Sequence, residues 1–227
     1  MSELRVATLQ HEAAAASNIT LDANGNVGVG TSSPSSRLHI AGGAESTIRN
    51  TASSGSSWFV GSNTAGYILH NESNTPMLFT TNGIERIRID SAGRVTMPYQ
   101  PAFTVYGGSD VIGATTALVW TLTELNRGGF YNTSNGRFTC PVTGVYVFHY
   151  RWTTAQGVAA QPRLFTNNVG IEGATQYSNP PAGSYSAGCI SVAIQCNAND
   201  YITCGTLTGQ LIVGPNYNSG FSGHLLG

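Results

Sequence analysis

Apolar and polar residues alternate along most of this chain with a period of two, the spacing that puts successive side chains on opposite faces of a β-strand. The alternation comes in two grades. Before Met97 the apolar islands are short, as in Ile19-Thr20-Leu21, Arg37-Leu38-His39-Ile40, Trp58-Phe59-Val60, Tyr67-Ile68-Leu69 and Met77-Leu78-Phe79. Ser, Thr, Asn and Gly fill the intervals. From Met97 onward the runs lengthen. In Gly144–Ala155, Tyr146, Phe148, Tyr150 and Trp152 fall on one face and Val145, Val147, His149 and Arg151 on the other. That pattern predicts a long half-buried strand, and Cys189–Ile194 and Asp200–Cys204 predict two more. The chain reads as all-β, with a change of character near residue 97.

The first part contains a repeat. Ile19–Val29 aligns with Ile87–Met97, and both copies read as strand, Asp-x-x-Gly turn, strand. Asp can accept from turn amides there, and Gly25 or Gly93 can supply positive φ. Ile19, Leu21 and Val27, with Ile87, Ile89 and Val95, are the apolar positions of the two hairpins. Islands this short cannot enclose a core within one chain, so the reading is that several chains share it. The polarity of the intervening segment also suits disorder, but its β-branched and aromatic islands do not.

The same alignment disposes of a nucleotide loop. Gly28-Val29-Gly30 imitates part of a dinucleotide fingerprint, which needs a strand before it and a helix after it. Here turn residues follow, and the second copy carries Thr96 and Pro98 instead of the glycines. Gly28 and Gly30 are expected where backbones approach too closely for a side chain.

Composition narrows the chemistry. Charged residues make up 9% and the net charge is −1, which argues against a nucleic-acid partner. No apolar run approaches a membrane-spanning helix, so membrane insertion is not expected. The N-terminal residues lack a secretory signal layout, which points to synthesis in a cytoplasm. Cys140, Cys189, Cys196 and Cys204 lack zinc-type spacing and read as thiols, buried by default. The five histidines form no ligand pair, and neither a metal nor a cofactor is expected. His149, inside a strand, reads as a packed or interface residue.

Two resemblances add to this. Residues 17–97, with "SNITLDANGNVGVGTSSPSSRLHI" and "PMLFTTNGIERIRIDSAGRV", resemble phage tail-fibre shafts. The second half resembles the complement globular heads (C1q), which share a jelly roll with tumour-necrosis-factor ligands. Its signature is matched by Asn126, Tyr131 and Phe138, followed by Gly144, Tyr146, Phe148 and Tyr150. Trp120 stands where the family prefers Phe. "PAFTVY" (101–106) resembles the opening strand and "SGFSGHLL" (219–226) the closing one. These resemblances imply an extended trimeric β-shaft followed by a C-terminal ten-strand jelly-roll β-sandwich, with the signature residues as core packing.

The expected layout is a particle-docking segment at 1–16, a fibrous shaft at 17–97 and a knob at 98–227. The expected function is a homotrimeric phage tail fibre, located on the virion. Its N-terminus would join other tail or baseplate proteins, and its knob would attach to a host-surface glycan or protein. Rival readings are a purely structural virion fibre or decoration protein, a bacterial surface filament, and a polysaccharide-degrading tailspike. An enzyme is not expected, because Asp110, Glu124, Glu172 and Asp200 are the knob's carboxylates and no motif pairs two of them. The receptor site is expected in loops at the free end of the knob, with Tyr177, Tyr185 and Tyr217 stacking on sugar faces. Gln176, Asn179, Asn216 and Asn218 would bond glycan hydroxyls. Asn, Pro and Gly in those loops also suit turns for their own sake.

Overall fold

The computed structural model describes residues 7–10, 18–42, 45–52, 57–108, 111–214 and 219–226. Among them the chain forms strands and no α-helix. It divides into two compact units, Met1–Thr96 and Met97–Gly227.

The first unit holds three small sheets in succession. β1 (Thr8–Leu9), β2 (Ile19–Leu21), β3 (Val27–Val29) and β4 (Leu38–Ile40) line up in chain order. The β3–β4 pair is parallel. β5 (Glu45–Thr51), β6 (Ser57–Asn63) and β7 (Gly66–Asn71) form an antiparallel meander. β8 (Met77–Thr81), β9 (Ile84–Ile89) and β10 (Val95–Thr96) form another. Thr8 and Leu9 fall in the segment expected to dock on a particle, yet they are an edge strand on β2. The rest of 1–16, apart from Ala7 and Gln10, lies outside the described residues.

The two Asp-x-x-Gly turns are built alike. Asp22 Oδ1 accepts from the amides of Asn24 and Asn26 at 2.9 and 2.8 Å. Asp90 Oδ1 accepts from those of Ala92 and Arg94, both at 2.9 Å. In each, the Asp N–H reaches the carbonyl four residues on at 3.0 Å, and the glycine has positive φ, +76° at Gly25 and +82° at Gly93. Gly28 and Gly30 both sit at close backbone approaches, since a Cβ would run into the Thr31 carbonyl at the first and the Ala41 carbonyl at the second.

Burial separates the units. In the first, Thr20, Gly28 and Phe59 are buried, while Leu21, Ile48, Trp58, Leu69, Phe79 and Val95 are exposed, Trp58 at 48% and Val95 at 59%. Ile87 is also exposed, and Ile19, Val27 and Ile89 are half-buried. A groove of about 310 Å³ lined by Trp58, Leu69, Met77 and Phe79, and another of about 320 Å³ lined by Leu38, Ile48, Val60 and Tyr67, open on this unit.

The second unit is a sandwich. Its strands are β11 (Ala102–Tyr106), β12 (Val111–Ile112), β13 (Leu122–Arg127), β14 (Tyr131–Asn132), β15 (Arg137–Thr139) and β16 (Gly144–Thr153). After them come β17 (Pro162–Thr166), β18 (Val169–Thr175), β19 (Ala187–Cys196), β20 (Tyr201–Thr206), β21 (Leu211–Ile212) and β22 (Gly220–Leu225). Two five-stranded sheets, β13-β11-β22-β16-β19 and β14-β15-β20-β17-β18, hold ten of these, and β12 pairs with β21 separately. β16 alternates as its sequence requires, with Tyr146, Phe148, Tyr150 and Trp152 buried and Arg151 exposed. Phe103 from one sheet stacks on Phe138 from the other with ring centroids 4.6 Å apart. Phe221 meets Phe103 edge-on at 4.8 Å, so aromatic interlock fills the middle of the core.

Candidate functional site

Strand register defines two ends of the sandwich. Ala102 pairs with His224 and Tyr146 with Leu225, so the chain enters and leaves at one end, the near end. Tyr106 and Arg151 both pair with Gly220, and Thr153 with Ala187, at the other, the far end. The connections 154–161 and 176–186 therefore project from the far end.

Backbone bonds hold the first two of these loops together. Ala160 and Ser178 exchange both bonds at 2.9 Å, Gly157 N–H donates to Ser184 O at 2.8 Å, and Thr154 N–H to Ser186 O at 2.7 Å. Gln156 Nε2 adds a bond to Gly183 O at 2.6 Å. Pro180 is buried between exposed neighbours. The loop is a fixed platform, and the expected turn role of its Pro and Gly coexists with a displayed surface.

On that platform Tyr177 is 70% exposed, Tyr185 52%, and Asn179 is exposed. Gln176 has a role in the fold as well. Its Oε1 accepts from Trp152 Nε1 at 3.1 Å and its Nε2 donates to Cys189 O at 3.0 Å, so the exposed amide also ties β16 to β19. Asn216, Tyr217 and Asn218 lie outside the described residues. Gln156 and the 154–161 loop, which the sequence reading passed over, belong to the same surface. A Gln-Gly pair closing a long strand was the available signal.

The signature residues are distributed over the core. Trp120, Phe138, Tyr146, Phe148 and Tyr150 are fully buried, and Tyr131 is 3% exposed. Gly144 opens β16 opposite Cys196. Asn126 differs from core packing: it is half-buried and its amide brackets the backbone of Tyr131. Trp120, the departure from the signature, gives its indole N–H to Cys204 Sγ at 3.1 Å. Burial pushes the Cys204 thiol and the Tyr131 and Tyr150 phenols well above their ordinary values, which keeps all three neutral.

The knob carboxylates are dispersed. Glu124 sits on the edge strand β13, while Glu172 sits on β18, an edge strand of the other sheet that lies beside β19, and it pairs with Arg163. Asp200, at the near end, accepts from Asn197 N–H and Asn167 Nδ2, both at 2.7 Å, which holds its carboxyl below the usual value. Asp110 lies outside the described residues. His149 Nδ1 and Ser191 Oγ lie 2.9 Å apart on the outer face of the β16–β19 pair. Among the described residues no three His, Cys, Asp or Glu side chains gather to hold a metal ion.

Residues 102–226 match the C1q domain, and the chain belongs to that family. Among solved structures it is similar to the globular domain of zebrafish complement 1qA protein, at 15% identity over 56% of this chain and 98% of that one, TM-score 0.46. The Eiger TNF of S. frugiperda is 15% identical over 56% and 93% of the two chains, TM-score 0.44. Murine APRIL is 12% identical over 56% and 99%, TM-score 0.44. A comparison with curated proteins finds no match.

Proposed function

We propose that this chain is a homotrimeric phage tail fibre, in which the first unit is a shaft whose core is shared by three copies and the C1q unit is a receptor-binding knob. One observation carries the reading: the small sheets of the first unit leave Ile48, Trp58, Leu69, Phe79 and Val95 in water. Covering the exposed half of such a side chain is worth about 1 kcal/mol, and three copies around one axis would cover them repeatedly. C1q and tumour-necrosis-factor-like domains typically form trimers and are generally binding modules without enzymatic activity, which supports the same state for the knob. The exposed tyrosines and Asn179 on a rigid far end suit a neutral, hydroxyl-rich ligand, and a host-surface glycan is that ligand.

The test is adsorption of fluorescently labelled full-length protein to bacteria susceptible to the phage. Saturable adsorption, lost after periodate treatment of the cells, is expected. Absence of adsorption would leave a purely structural fibre as the function. Adsorption that survives periodate but not surface proteolysis would assign a protein receptor.

A further inference from the structure

Cys140 and Cys196 belong to different sheets of the sandwich: Cys140 directly follows β15, and Cys196 ends β19. Both are fully buried. The turn at 197–200 draws them together. Cys140 N–H donates to Asp200 O, and Asn199 N–H donates to Cys140 O, both at 2.8 Å. The backbone of Cys140 is thus fastened to the turn that begins immediately after Cys196, and both side chains belong to the one buried core cluster.

The other two cysteines are placed elsewhere. Cys204 has its sulfur engaged by Trp120. Since Phe138 pairs with Ile202, Cys140 is level with Asp200, and Cys204 lies four residues further along β20, about 13 Å away. Cys189 is exposed, and its register partner on β16 is Arg151, toward the far end.

We propose that Cys140 and Cys196 are a cystine-forming pair that joins the two sheets covalently at the near end of the sandwich. The oxidant is a small-molecule disulfide such as oxidised glutathione. The Cys196 thiolate attacks one glutathione sulfur and expels the other as thiolate. The Cys140 thiolate then attacks the Cys196 sulfur of the mixed disulfide and expels the second glutathione. Two protons leave the protein thiols, and the two electrons end on the glutathione pair. Burial confines the reaction to folding or to transient opening of the near end. In a reducing cytosol the pair stays open, and an oxidising medium closes it. Closure ties a loop running from 140 to 196, which restricts the unfolded chain and raises stability.

The experiment unfolds the full chain in denaturant with reductant and refolds it in mixed reduced and oxidised glutathione. It is then alkylated in denaturant and mapped by peptide mass. A Cys140–Cys196 linked peptide should predominate, with reactive thiols falling from four to two per chain. The thermal midpoint should rise by several degrees and fall back on adding reductant. Cys196→Val, which keeps an apolar side chain at the buried site, should leave the remaining thiols alkylated and abolish the shift. Four alkylated cysteines in the refolded protein would overturn the proposal, as would a predominant link from Cys140 to Cys189 or Cys204.

Discussion

The side-chain amide of Asn126 brackets the backbone of Tyr131, donating from Nδ2 to its carbonyl at 2.8 Å and accepting its N–H at Oδ1 at 3.0 Å. It acts as a one-residue strand partner where the chain turns from β13 into β14. Asn126→Ala leaves both backbone groups unpaired and should cost about 1–3 kcal/mol. Asn126→Asp keeps the acceptor but sets a carboxylate against a carbonyl, and should be at least as destabilising at neutral pH. Denaturant unfolding followed by near-ultraviolet circular dichroism checks both.

Trp120 and Cys204 form a second pair that a double-mutant cycle can isolate. Cys204→Ala leaves a buried indole N–H without its partner and should cost about 1–3 kcal/mol. Trp120→Phe restores the ring that the signature prefers and removes the need for an acceptor. The double variant Trp120→Phe/Cys204→Ala should be less destabilised than the sum of the singles, with a coupling of about 0.5–3 kcal/mol.

The Asp turns fix a pH dependence. Asp22 and Asp90 are held below their ordinary value of 3.8, chiefly by the backbone N–H groups of Asn26 and Arg94. A depressed folded value means that the contribution is fully present above the unfolded value and is lost as the pH falls through the lower, folded one. Thermal stability should therefore fall below about pH 3.8. Replacing both residues with Asn, which keeps an accepting oxygen without the titration, should flatten that acid limb. An unchanged limb would place the acid sensitivity elsewhere.

Tyr177, exposed at the far end, and Tyr217, which the sequence assigns to the same receptor site, give the receptor prediction. Tyr177→Ala combined with Tyr217→Ala should leave the oligomer and its thermal midpoint intact and reduce adsorption to host cells. The loss of one stacked ring is worth about 1 kcal/mol, about fivefold per site. Three linked sites would multiply it. Unchanged adsorption would move the receptor site to the flanks of the knob.

What the sequence discloses here is what local chemistry determines. The Asp-x-x-Gly turns were legible because donor, acceptor and glycine all lie within five residues, and β16 was legible because its alternation runs unbroken for ten. The parallel β3–β4 pair was not, since three residues of Leu38-His39-Ile40 state that a strand exists and nothing about its partner. The structural role of Gln176 was hidden for a related reason. Its partners, Trp152 and Cys189, are distant in sequence and meet it only through the register of β16 with β19. The meeting of Cys140 with Cys196 is hidden likewise, because it depends on the turn at 197–200 folding back onto β15.

The sharing of the first unit's apolar faces among three copies is tested most directly by the molar mass of the full chain in solution. Size-exclusion chromatography with multi-angle light scattering, run across a range of dilutions, should give three times the 23.8 kDa chain mass. A folded species at the mass of a single chain would contradict the account.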